Sequence, residues 1–355
     1  MIDKINFLFE QEESRDETFD ILKGIAIIFV IMGHSGVGPL RAFIFSFHMP
    51  LFFFITGYFL KIRPLSKEME RSLKRLIIPY VFSAACIFVV VAIRNYVDNT
   101  WDDISYTKDF VIRFLLGFKG GTAPEWIDGT IMTFWFVWAL FWARALVVFF
   151  LGKIQSMKTL CVIFFLLGPL GVFLGENYFV PYCIPLGMSA AGFVYVGYLV
   201  NRYKLLESAK LLVFFPFLLI CWLYNWMQSG MDMALFLYPS GYVFNLVGAL
   251  GAFFVLFKFV EVFCRKESLF WRIIYFCGRC SLVIYCVHAI DENLNNWISF
   301  ASSLHIPFEY RGVALFLTRL VVTFIIALLI LKVKFLREGV FQIKNKSQFS
   351  DLIKF

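Results

Sequence analysis

The sequence predicts an all-α fold, a polytopic transmembrane helical bundle of about 10 spans with both termini cytoplasmic. Composition is the first ground. Of 355 residues, 60% are hydrophobic and 16% charged, and mean hydropathy is +0.77, which excludes a soluble enzyme. At roughly 20 apolar residues per span, that supply covers about ten crossings. Run length is the second ground: the apolar stretches outlast a strand and show no period-two alternation, which excludes an outer-membrane barrel. The third is the placement of Lys and Arg, which gather in alternate loops.

In chain order the apolar runs fall at 20–38, 42–60, 73–93, 131–151 and 159–174, then at 182–200, 211–227, 241–263, 273–290 and 312–331. With the amino terminus inside, the cytoplasmic loops hold Lys61, Arg63, Lys67, Arg71, Lys74 and Arg75; Lys153 and Lys158; Arg202, Lys204 and Lys210; and Lys258, Arg265, Lys266 and Arg272. The short outer loops hold only Arg41 and Arg311. Residues 95–129 set Lys108, Arg113 and Lys119 against Asp98, Asp102, Asp103, Asp109, Glu125 and Asp128, which suits the outer side and leaves room for a short or re-entrant helix around 110–118. An even number of spans keeps the basic tail Lys332, Lys334, Arg337, Lys344 and Lys346 inside. The chain divides into a cytoplasmic segment 1–19, an integral membrane domain 20–335 and a cytoplasmic tail 336–355. The acidic start lacks the pattern of a signal peptide, so no cleaved signal is expected.

The net charge of +8 is accounted for by these loops, and no nucleic-acid partner is expected. The 46 Phe are expected to supply lipid-facing bulk, while Trp and Tyr mark the interfaces. The eight Cys lie mostly in apolar runs, and the one C-x-x-C, Cys277 and Cys280, has no second pair to complete a zinc site. No metal is expected.

Ionisable groups inside a span are costly, so each is a functional candidate. The first run carries Asp20 and Lys23 near its inner end and His34 near its outer end. Eleven helical steps separate Lys23 from His34, roughly 16 Å and about three turns, so both share a face at opposite depths. Lys23 can equally snorkel to the interface, and His34 can simply cap a helix. His48 precedes Pro50, which a first helical turn tolerates, so His48 sits at the outer start of the second span. A structural histidine bonded to backbone is the bland reading of it. Arg71, Lys74 and Arg75 crowd the inner mouth of the third run, where they face lipid headgroups or the phosphates of an anionic substrate. Trp135, Trp138 and Trp142 form an aromatic stripe, which is an interface belt or a surface for a sugar ring. In the ninth run Arg279 lies toward the inner end and His288 interrupts the apolar stretch, with Asp291, Glu292, Asn293, Asn295 and Asn296 following. Arg144, Lys258 and Arg319 also lie in or near spans and receive no role.

The segments RDETFDILKGIAIIFVIMGH and FSFHMPLFFFITGYF resemble the start of the acyltransferase-3 family of integral membrane O-acyltransferases, and its fucose 4-O-acetylase-like branch in particular. RLIIPY, FWFVWALFWA and LVIYCVH agree in order, so the resemblance runs from about residue 15 to 290. The family's basic residue and histidine map onto Lys23 and His34. Many members carry Arg at the first position, and Lys23 would meet phosphate as a point charge without a planar fork.

The resemblance implies transfer of an acetyl group from acetyl-CoA to a sugar hydroxyl in a cell-surface glycan or its lipid-linked precursor, at the bacterial inner membrane. On that reading Lys23, Arg71, Lys74 and Arg75 take the nucleotide of acetyl-CoA. His34 is the general base, and His48 or His288 polarises the carbonyl or returns a proton. Asp20, Trp135, Asp291, Glu292 and Asn293 face the acceptor. Direct transfer is favoured because no Ser or Cys stands beside a base, with an acetyl-histidine route as the alternative. The partners expected are a sugar or glycan acceptor and membrane lipids, with a homo-oligomer compatible. A transporter or flippase using the same histidines is the competing class.

Overall fold

The computed structural model describes residues 16–97, 104–119, 124–126, 130–264, 268–294, 297, 303 and 305–343. Asp98, Asp102, Asp103, Asp128, Arg265, Lys266, Asn295, Asn296, Lys344, Lys346 and residues 1–15 lie outside them.

Every apolar run is helical. The elements are α1 (Glu17–Gly33), α2 (His48–Tyr58), α3 (Leu65–Ser72), α4 (Ile78–Val97), α5 (Ile104–Leu116), α6 (Trp135–Lys153), α7 (Met157–Asn177), α8 (Ile184–Arg202), α9 (Ala209–Met227), α10 (Tyr242–Phe263), α11 (Leu269–Arg279), α12 (Ser281–Leu294) and α13 (Phe308–Lys332). Among the described residues, six helices are long and apolar enough to cross a membrane, and α11 with α12 makes a seventh if the pair counts as one span. α1 is 17 residues and α2 is 11, so these two are shorter than a full crossing.

Local chemistry sets the ends. The Asp16 carboxylate accepts from the Thr18 N–H at 2.9 Å and caps α1. The run 42–60 is broken: a short helix Arg41–Phe45 stops at Ser46, Phe47 takes φ −151° and ψ −25°, and α2 starts at His48 with Pro50 in its first turn. The loop around Gly230, at φ +70°, wedges against this break, and the Met231 N–H bonds the Phe45 carbonyl at 3.3 Å. The run 273–290 is not one straight span either, since α11 and α12 meet at 77°. Gly278 lies against the Asp20 carbonyl of α1 there, and Arg279 at the bend donates to Tyr275 Oη at 3.1 Å.

Enclosure differs sharply between helices. The span ending in α8 is 78% buried over its apolar window, whereas the spans containing α4 and α13 are 28% and 22% buried, which puts α8 at the centre and those two at the lipid-facing rim. α8 meets α2 backbone to backbone: a Cβ at Gly57 would strike the Val194 carbonyl, and one at Gly197 the Phe54 carbonyl. Without hydrophobic drive between helices in lipid, such close approach of small residues supplies the packing. Gly197→Val should therefore cost about 1–3 kcal/mol of stability. Thermal unfolding in detergent, followed by size-exclusion fluorescence, checks this; an unchanged midpoint would refute the contact.

Candidate active site

Charged groups collect at the two ends of α1. Phe19 packs on Tyr58 and Phe59 with ring centroids 4.4 and 4.8 Å away, so the Lys23 end of α1 adjoins the end of α2 and the basic segment after it. Lys23 Nζ lies 2.6 Å from Asp20 Oδ1, and the Asp20 side chain is buried. Beyond α2, the buried Glu68 carboxylate gathers cations. Arg144 donates to its Oε1 from Nε at 2.8 Å and from Nη2 at 2.5 Å, and Arg63 Nε stands 3.5 Å from Oε2. Arg71 is half-buried and feels Arg75, Arg63 and Arg144 as well as Glu68. Arg144 and Arg63 thus meet one buried carboxylate and Arg71 lies within its field, with Arg75 exposed beside Arg71, an excess positive site suited to phosphate. Lys74 instead pairs with Glu70 at 2.5 Å on the surface.

At the other end, α1 stops at His34, and Arg319 of α13 organises what surrounds it. Arg319 is 3% exposed within an apolar helix. Its Nη1 donates to the His34 carbonyl at 2.6 Å, satisfying an orphan acceptor at the helix end. Nε reaches Asp291 Oδ2 and Nη2 reaches Glu292 Oε1, both at 2.9 Å. Nη2 also faces His288 Nδ1 at 3.4 Å.

These contacts assign the imidazole protons. His34 Nδ1 lies 2.8 Å from the Val30 carbonyl, which can only accept, so the neutral ring carries its proton there and its lone pair on Nε2. His288 Nδ1 faces a guanidinium, which can only donate, so its proton sits on Nε2. That buried Nε2 has no hydrogen-bond partner among the described residues. The two rings are 5.4 Å apart. His48 Nδ1 meets the Ile44 carbonyl at 2.7 Å, and Phe45 stands between His34 and His48, with centroids 6.4 and 4.9 Å away.

A cavity of about 230 Å³ opens onto this group, walled by His34, His48, Trp135, Tyr285, Lys119, Arg41, Asp232 and Glu292. Tyr285 Oη is bonded to the Thr133 carbonyl. Arg41 Nη2 pairs with Asp232 Oδ2 at 3.0 Å. Burial pulls the Lys119 ammonium below its usual range, against the opposing pull of Asp232 and Glu292. Donor atoms of His34, His288 and Glu292 lie within 4.8 Å of one another, a spacing that resembles a metal site. Arg319 donates to Glu292 and faces His288, so two of these three groups already have a guanidinium partner.

His34, His48, Trp135 and Glu292 wall the cavity, His288 is buried beside His34, and Asp291 joins them through Arg319. Asp20 sits at the Lys23 end, away from them. Asn293 bonds its own helix at the Ala289 carbonyl, 2.8 Å away. Trp138 packs between Tyr80 and Tyr182, and Trp142 on Phe141, so the stripe faces inward. Sequence reasoning assigned no role to Arg319, Arg144, Glu68, Lys119 and the Arg41–Asp232 pair. The available signal was Arg319 itself, an arginine inside an apolar span.

Apolar helices enclosing an imidazole pair at one end and an arginine cluster at the other define a multi-pass membrane protein with a polar cavity among its helices. The acyltransferase-3 family, described as an acyltransferase domain, matches residues 16–332, and the chain belongs to it. Nodulation protein NolL of Mesorhizobium japonicum is 28% identical over 145 residues, covering 36% of this chain and 34% of that protein. NolL of Sinorhizobium fredii matches with the same identity and coverage. The chain thus spans about a third of the length of these curated relatives. No solved structure matches.

Removing the cation strands two carboxylates. Arg319→Leu should lose about 3–5 kcal/mol of stability, as breaking a buried pair does. The triple neutral variant Arg319→Leu, Asp291→Asn, Glu292→Gln should recover most of it in the same melt, and failure to recover would show that the ion set is not what Arg319 supports.

Proposed function

We propose that the protein is a membrane-embedded O-acyltransferase of the bacterial inner membrane. It moves an acetyl group from cytoplasmic acetyl-CoA to a sugar hydroxyl of a cell-surface glycan or its lipid-linked precursor. The observation that carries this is the complementary imidazole pair, His34 with a lone pair on Nε2 on the cavity wall and His288 with a proton on Nε2 buried beside it.

The two nitrogens suit two roles. His34 Nε2 takes the proton of the acceptor hydroxyl as its oxygen attacks the thioester carbonyl carbon. His288 Nε2–H donates to the carbonyl oxygen as negative charge develops there, and its buried setting strengthens that bond. The carbon–sulfur bond then breaks, and the proton held on His34 passes to the departing thiolate. The step needs no metal, since Arg319 supplies the local cation. Val30 and Arg319 hold the two tautomers, so neither ring must reorient before reaction.

The donor enters from the Lys23 end. Lys23, Arg71 and Arg75, with Arg63 and Arg144, offer the positive surface its phosphates require, and Lys74 adds only screened charge from the surface. The roughly 16 Å along α1 is of the order of the pantetheine arm's reach. At the acceptor end three cations, Arg41, Lys119 and Arg319, balance three carboxylates, Asp232, Asp291 and Glu292, which suits a neutral polyol better than an anionic sugar. Trp135 offers a face for the sugar ring.

His34→Ala, with abundance and folding verified, should lower acetyl transfer in membranes by at least about 100-fold, the share of a general base. Near-normal transfer would sink the assignment. Charge reversal at Lys23 or Arg75 should weaken acetyl-CoA binding measured on purified protein, and unchanged affinity would leave those cations a topological role alone.

A further inference from the structure

A second hollow lies across α12 from the reactive cavity. It is a groove of about 730 Å³ between α4, α12 and α13, walled by Phe82, Cys86, Val287, Ile290, Val322 and Ile326. Its α12 residues, Val287, Ile290, Asp291 and Leu294, recur at helical spacing, as do Val322, Ile326 and Ile330 of α13, so the groove follows the helices. α4 and α13 are rim helices whose neighbouring side chains, Phe88, Ile93, Val321, Ile325 and Leu329, are exposed, and the groove therefore opens toward lipid.

Two features mark one end of it. Arg94, exposed on α4, donates to the Leu294 carbonyl at 3.2 Å, which sets a guanidinium at the Leu294 end. Trp297 there donates from Nε1 to Asp291 Oδ1 at 2.7 Å, an indole with one apolar and one polar side of the kind found at membrane interfaces. The groove also touches the site. Asp291 lines the groove and Glu292, the next residue, lines the reactive cavity, and both bind Arg319.

We propose that this groove seats the single hydrocarbon chain of an isoprenoid phosphate that carries the acceptor sugar, with Arg94 meeting the phosphate at the Leu294 end. Apolar walls facing lipid reject a sugar or a nucleotide, whose polar groups would go unpaired. A single trough admits one chain, and a two-chain phospholipid would leave one chain outside. The cation at one end fits a phosphate. The sugar beyond that phosphate then lies at the His34 end, one helix width from the imidazoles. The sugar's identity as acceptor rests on the proposed acyl transfer, whereas chain binding does not.

The test uses the purified full-length protein in nanodiscs and a polyisoprenyl phosphate bearing a diazirine near its chain end, with labelled peptides mapped after illumination. Label should concentrate on peptides of α4, α12 and α13. An excess of unlabelled polyisoprenyl phosphate should compete it away, and phosphatidylglycerol of equal charge should not. Ile326→Trp, which fills the groove, and Arg94→Glu should each cut the label at least fivefold, while Ile326→Val labels like the parent. Should Ile326→Trp fail to fold, alkylating Cys86 with a long-chain thiol reagent in a folded Cys161→Ser, Cys264→Ser variant fills the same space and should block the label, which that variant shows before alkylation. Equal competition by phosphatidylglycerol would overturn the proposal in favour of ordinary boundary lipid. Label indifferent to groove filling, or Cys86 cross-linking readily to a second copy, would overturn it too. His34→Ala should keep the label, so loss of catalysis and loss of chain binding are separate results.

Discussion

A guanidinium buried in an apolar helix is tolerable only if its charge and donors are met, and Arg319 meets them with the carbonyl that ends α1 and two consecutive carboxylates of α12. Three helices are tied at that one group. Because His34 is the residue whose carbonyl is bound, the position of its ring is inherited from the bond. The tautomer of His288 follows from the same guanidinium. The two imidazoles are thus tied to one centre, and their chemical difference arises because His34 Nδ1 meets the Val30 carbonyl whereas His288 Nδ1 meets the guanidinium.

Interrupted helices do the rest of the positioning. A continuous helix through residues 42–60 would set His48 by helical phase alone, whereas the break at Phe47 lets the ring of His48 join the cavity wall while α2 keeps its close crossing with α8. The bend between α11 and α12 plays the matching part on the other side, since α11 packs on α1 near Asp20 and α12 turns away to carry His288, Asp291 and Glu292. Lipid does not satisfy broken backbone, so such irregularity is confined to where protein surrounds it.

What the sequence made legible follows the range of the forces involved. Helices, their order and their apolar faces are local properties, and all ten runs are helical. Lys23 and His34 were also legible, through spacing on one helix, and His288 through its interruption of an apolar run. The breaks at Phe47 and Cys280 were not, because single polar residues such as Ser46, His48 and Arg279 interrupt an apolar run without marking a bend, and tertiary contacts pack against both breaks. The partners of Arg319 lie 27, 28, 31 and 285 residues away, Glu68 lies 76 from Arg144, and Arg41 lies 191 from Asp232. No pattern along the chain announces pairs at those separations. Asp20 was expected to face the acceptor, yet its carboxylate pairs with Lys23 at the opposite end.

Among the described residues, the charged side chains at the cavity and behind it pair off in sign, and that pairing has an electrical meaning. A transmembrane voltage of 100 mV does about 2.3 kcal/mol of work on each elementary charge that crosses it. Arg41, Lys119 and Arg319 move in that field against Asp232, Asp291 and Glu292, so a shift of the assembly as a unit along the bilayer normal carries no net gating charge. A cavity built this way can breathe inside an energised membrane without its opening being biased by the potential across it.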